Sequence, residues 1–222
     1  LGEEMFGGTQ ELASALADEE ALPLAAHDRT DLAKVTQFIS TDQSRRYAVK
    51  AVNKQFKSQF LKRLGNSLNG NSELGYEDLI DQALKRSQSN PDEPYHILAA
   101  LNAKVYLNAS PETILCRALL GAEKEPDAIF SLWRENGVKP QPQNHSPSVK
   151  TPWVYHVFGL LPNPDTLVLT EDDFFDYLIA SSKLNLFWDQ VTGRLVESSL
   201  LFLGFRLNDW RFRVLFRMIM AS

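Results

Sequence analysis

The chain has 222 residues, 44% of them hydrophobic, 23% charged and 10% aromatic, which excludes a disordered or fibrous polypeptide and suits one core with a helical excursion. Lys and Arg number 23 against 28 Asp and Glu, a formal charge of −5, so there is no surplus of cations to displace counterions from nucleic acid. The single cysteine, Cys116, rules out an intramolecular disulfide and a Cys-rich zinc ribbon and fits a reducing, cytoplasmic compartment.

The opening Leu1-Gly2-Glu3-Glu4 is neither an initiator methionine nor a signal peptide, and no run of about 18 apolar residues could span a bilayer. The chain is therefore expected to be a fragment of a longer protein. Gly7-Gly8-Thr9 reads as a flexible turn with a hydroxyl N-cap, followed by a helix carrying Leu12, Ala13, Leu16 and Ala17 at helical spacing. Such a turn either holds an anion on free backbone N–H groups or is only a turn. Asp31 to Leu64 reads as one long helix with an apolar stripe through Leu32, Val35, Ile39, Val49, Val52, Phe56 and Phe60. Its Lys50, Lys54, Lys57, Lys62 and Arg63 form a solvated face or a partner surface. A Gly/Asn-rich loop over 65–71 precedes another amphipathic helix built on Tyr76, Leu79, Ile80, Ala83 and Leu84.

The second half changes period. Lys104 to Asn108 reads as a strand, and Pro111 leads into a helix from Glu112 to Leu120. Val154 to Phe158, Leu167 to Leu169 and Ser199 to Leu203 read as three further strands. Thr170-Glu-Asp-Asp173 starts a helix as a capping box, and a last helix is expected from Trp210 to Met220. Apolar strands alternating with helices predict an α/β fold, a Rossmann-like parallel sheet with helices on both faces and a helical insertion at about 32–98. In such sheets ligands sit at the carboxyl ends of the strands. Asn108 to Glu112, His156 to Gly159 and Gly204 to Arg206 all fall there.

Asn108 and Ser110 are two residues apart, so in a continued strand they face one crevice; in the other reading they cap the helix that starts near Pro111. His156 lies in an apolar strand three residues before Gly159, which suits either a satisfied structural group or one that exchanges protons near neutral pH. His27, His96 and His145 have no comparable setting. No zinc spacing, Gly-x-Ser-x-Gly elbow, Walker loop or complete dinucleotide glycine fingerprint occurs.

Four segments together resemble the bacterial sirtuin-like domain family: Val105-Tyr-Leu-Asn-Ala-Ser-Pro-Glu-Thr-Ile-Leu115, Val154-Tyr-His-Val-Phe-Gly159, Leu167-Val-Leu-Thr-Glu-Asp-Asp-Phe174 and Leu201-Phe-Leu-Gly-Phe-Arg-Leu-Asn-Asp-Trp210. The resemblance is strong from Tyr95 to Met220 and weaker over 1–40, where Leu1-Gly2 and Ala26 to Leu32 look like early segments of the family. It implies a single NAD-binding domain over 1–222 and, as in many bacterial members, hydrolysis of NAD+ to nicotinamide and ADP-ribose as the toxic arm of anti-phage defence.

Carried over by motif, His156 is the catalytic histidine, Glu112 the acid of the family's Thr-x-Asn-x-Asp segment, and Gly204, Phe205 and Arg206 the turn that holds the adenosine ribose. Gly2 joins the cofactor-binding positions. Ser110 stands in the asparagine position, a departure, because a hydroxyl does not orient water and nicotinamide as a carboxamide does; Asn108 is its substitute. NAD+ is then the substrate and no metal is required. The partners implied are other domains of the same chain or a separate sensor protein, with self-association through Phe174, Phe175, Phe187 and Trp188 if these are not core. A membrane or direct nucleic-acid partner is not expected. The departure at Ser110 also motivates a second reading, a sirtuin-like module that binds NAD+ or ADP-ribose without turnover.

Overall fold

The computed structural model describes residues 8–64, 75–90, 92–130, 132–134, 146–184, 191, 193–194, 198–204, 212–214 and 216–217. Among the described residues, five α-helices precede the sheet: α1 (Thr9–Glu19), α2 (Leu32–Asp42), α3 (Arg45–Leu64), α4 (Tyr76–Arg86) and α5 (Pro94–Ala100). Strand β1 (Val105–Asn108), α6 (Ile114–Gly121), β2 (Asp127–Phe130), β3 (Trp153–His156) and α7 (Glu171–Leu184) follow.

The strands are parallel in the order β1-β3-β2, which places β3 centrally, with Asn108 opposite His156 and Phe130 opposite His156 on the other side. All four β3 residues are buried. Alternation sends Val154 into a core shared with α1 to α6, while Trp153 and Tyr155 enter a second cluster with Ile129, Phe174 and Tyr177. Helices thus cover a parallel sheet in an α/β fold, as the apolar strands predict. Among the described residues no helix is long and apolar enough to cross a membrane.

Several elements differ from the sequence reading. The expected helix over 31–64 is two helices, because the Ser44 hydroxyl accepts from the Tyr47 N–H at 3.2 Å and starts α3 afresh, while the Gln43 N–H closes α2 on Ile39 O. At α1 the N-cap is Gly8, with no side-chain cap, and Thr9 is the first helical residue. The basic face of α3 is partly neutralised by α1: Lys54 pairs with Glu19 and Arg63 with Glu11. Leu167 to Leu169 is buried but forms no strand. Side chains satisfy its carbonyls, with Arg45 Nη2 donating to Leu167 O at 2.7 Å and Thr36 Oγ1 to Leu169 O at 3.1 Å. Ser199 to Leu203 is an exposed segment outside any strand, Leu201 being 74% exposed. The sequence reading missed β2 and α5, although the latter carries a legible start, Glu93-Pro94, in which the Glu93 carboxylate accepts from the Tyr95 N–H.

The capping box that opens α7 is present in both directions: the Asp173 N–H donates to Thr170 Oγ1 at 3.1 Å and the Thr170 N–H to Asp173 Oδ2 at 3.3 Å. Asp173 is buried and also accepts from Arg45 Nε and Arg134 Nη2. Phe174 is core and Phe175 is exposed, whereas Phe187 and Trp188 lie outside the described residues. Of the expected helix from Trp210 to Met220, residues 212–214 and 216–217 are described and helical.

Candidate active site

Asn108 and His156 end neighbouring strands in register and project to the same side of the sheet, the side of Val154. Asn108 Nδ2 lies 3.5 Å from His156 Nδ1. The chain leaves β1 through a turn in which Asn108 Oδ1 accepts from the Ser110 N–H at 3.0 Å, fixing the carboxamide with its nitrogen toward the imidazole. The strand does not continue to Ser110, and neither Asn108 nor Ser110 caps α6. The N-cap of α6 is Thr113, without a side-chain cap, and the buried Glu112 accepts from the N–H of its first residue, Ile114, at 3.0 Å.

Glu112 is 1% exposed and gathers donors: Tyr95 Oη at 2.9 Å, the Ile114 N–H and the Ser110 hydroxyl. Burial raises its pKa above the usual carboxylate range, and these hydrogen bonds oppose the rise. His156 is 0% exposed, and burial lowers its pKa to about 4, with a hydrogen bond to the Ser110 main chain acting the other way. The ring is neutral at physiological pH, the state in which an imidazole can accept a proton. Its second nitrogen, Nε2, lies 3.5 Å from Cys116 Sγ on α6.

After His156 the chain turns at Gly159, φ +75°, where an added Cβ would sit 2.1 Å from the Thr166 carbonyl oxygen. Only glycine fits, and this tight return brings the buried Leu167 to Leu169 segment back against the sheet.

A cavity of about 470 Å³ opens beside β1. Asn108, Ser110 and Pro111 form one part of its wall, Thr9 at the start of α1 another, and Leu200 to Gly204 a third, with apolar Val105, Leu107 and Leu98 between. Of the predicted site residues, the structure therefore brings together His156, Asn108, Ser110 and Glu112, and adds Gly204 across the cavity. His156 itself is not in the wall. Gly2, Phe205 and Arg206 lie outside the described residues.

Sequence reasoning missed Cys116 and Tyr95. Cys116 lies on α6 and meets His156 across 40 residues of chain, so no local spacing signalled it. Tyr95 offered no signal either, since its partner Glu112 is 17 residues away.

The model of the SIR2-like domain family matches residues 73–222, which takes in α4 to α7, β1 to β3 and Asn108, Ser110, Glu112, Cys116, His156 and Gly204, while Thr9 precedes it. No curated protein matches the chain.

Proposed function

The chain belongs to the SIR2-like domain family, and we propose that it is an NAD+ glycohydrolase domain that releases nicotinamide and ADP-ribose. The observation that carries this reading is the register-paired Asn108 and His156 at the carboxyl ends of β1 and β3, beside a cavity of about 470 Å³. That cavity combines an apolar wall with a polar end at Asn108 and Ser110 and the start of α1 at Thr9, a set suited to a dinucleotide with one uncharged ring and a diphosphate.

In the reaction the bond between the ribose anomeric carbon and the nicotinamide nitrogen breaks, and nicotinamide leaves as a neutral ring. Water oxygen adds to the anomeric carbon. Neutral His156 takes the proton that water gives up, and Asn108 orients the water or the carboxamide of nicotinamide. Positive charge that builds on the ribose is accommodated by a site with no cationic side chain among its described residues, Asn108, Ser110, Glu112 and His156.

The biological setting proposed is depletion of NAD+ in the cytoplasm during anti-phage defence. Unrestrained turnover would kill the host cell, so another part of the protein or a separate sensor holds the domain inactive until infection.

Nicotinamide release from NAD+ tests the assignment. His156→Ala is expected to abolish release while the variant still binds NAD+ in calorimetry; unchanged turnover in that variant would overturn the assignment. The burial of His156 and the serine at position 110 favour a second reading, an NAD+- or ADP-ribose-binding module without turnover. Saturable binding by the wild type with no release, together with release from Ser110→Asn, would establish that reading instead.

A further inference from the structure

Both nitrogens of the His156 ring face a side chain. Asn108, which lines the cavity, stands at Nδ1, and Cys116, which does not, stands at Nε2. Asn108 reaches the ring through the sheet register, whereas Cys116 reaches it because Ile114, Leu115, Ala118 and Leu119 seat α6 against the sheet. A base needs a nitrogen lone pair directed at the proton it removes. The Asn108 amide N–H faces Nδ1, so the lone pair of the neutral ring is at Nδ1, on the side of the cavity-lining Asn108, and Nε2 carries the hydrogen, which the sulfur accepts.

The pair is not a nucleophilic dyad. Burial, reinforced by the charges of Glu112 and Glu77, pushes the Cys116 thiol up to about 12, while burial pushes His156 down to about 4. A thiolate–imidazolium pair needs the opposite displacements. The thiol is therefore a neutral S–H group packed on a neutral ring. The titratable groups around it are Glu112 ahead of α6, Glu77 on α4, and Tyr106 on the same side of β1.

We infer that Cys116 is a positioning residue of this site: its sulfur holds the His156 imidazole by Nε2 against α6, and so decides how far the ring can turn toward a ligand in the cavity. The kinetic consequence rests on the NAD+-hydrolysis reading; the consequence for the ring itself does not.

The test compares wild type, Cys116→Ser and Cys116→Ala, with His156 followed by NMR titration and nicotinamide release followed against pH. In Cys116→Ala the vacated space hydrates the ring, and the His156 midpoint is expected to rise by about one pH unit or more toward its ordinary value. Cys116→Ser, which keeps an acceptor for the Nε2–H, is expected to stay close to wild type. The acid limb of nicotinamide release should move with the midpoint in Cys116→Ala, with KM for NAD+ unchanged because residue 116 is not in the cavity wall. An unmoved His156 midpoint in folded Cys116→Ala, or a Cys116→Ser variant that behaves like Cys116→Ala, would overturn the inference. Absence of nicotinamide release from wild type would overturn the hydrolase reading alone, since the ring titration is read without NAD+.

Discussion

At the scale of single residues, the neutral His156 couples the site to stability. Its pKa in the folded chain, about 4, lies below the ordinary 6.5, so the unfolded chain binds the proton first as pH falls. Stability from this group is intact above pH 6.5, declines between 6.5 and 4, and is level below that; the full loss is about 3 kcal/mol. Glu112 works in the opposite sense: its raised pKa means that stability falls as pH climbs past the usual carboxylate range. Urea unfolding of wild type and His156→Gln at matched pH isolates the imidazole. The difference between the two is expected to change by about 3 kcal/mol between pH 7 and pH 4, and a constant difference would mean that His156 titrates normally.

At the scale of elements, the start of α7 and the turn after β3 are the most exacting joints. Thr170→Ala removes one half of the capping box and is expected to cost about 1 kcal/mol in urea unfolding. Asp173→Ala removes the other half and also strands Arg45 and Arg134 without their carboxylate, so a loss of about 3–5 kcal/mol is expected. Gly159→Ala sets a Cβ against the Thr166 carbonyl at a positive φ and should cost more than about 3 kcal/mol, visible as a lower urea midpoint. The joint at α7 was legible because a capping box is written in four consecutive residues. β1 and β3 were legible for a similar reason, each being a short β-branched and aromatic run. Leu167 to Leu169 is likewise apolar with a β-branched centre yet is no strand, the carbonyls of Leu167 and Leu169 being taken by Arg45 and Thr36, 122 and 133 residues away. No local pattern contains that choice. The break at Ser44 was hidden by an apolar stripe that continues across it in both helices. Within the site, the strand-end positions of Asn108 and His156 were readable from spacing and from the family resemblance. The sulfur on Nε2 was not, because it depends on how α6 packs.

At the scale of the whole molecule, β3 joins two apolar clusters back to back, Val154 facing the helices α1 to α6 and Trp153 and Tyr155 facing α7. Neither cluster can loosen without exposing the central strand to the other. Far-UV circular dichroism, dominated by the helices, and tryptophan fluorescence, which includes Trp133 and Trp153 of the second cluster, are expected to give coincident urea transitions. Separated midpoints would show two independently unfolding bodies.

The central strand is also the last of the three described strands to leave the ribosome. β1 and β2 are made first, but they touch β3 and not each other in the sheet, so a nascent chain that stops short of Trp153 holds two strands with an empty lane between them. His156 is the final residue of the strand that fills that lane, and its pairing with Asn108 comes into being only as the sheet closes. Translation products that stop short of Trp153 therefore lack the Asn108–His156 pairing, which exists only in chains that have passed this topological checkpoint.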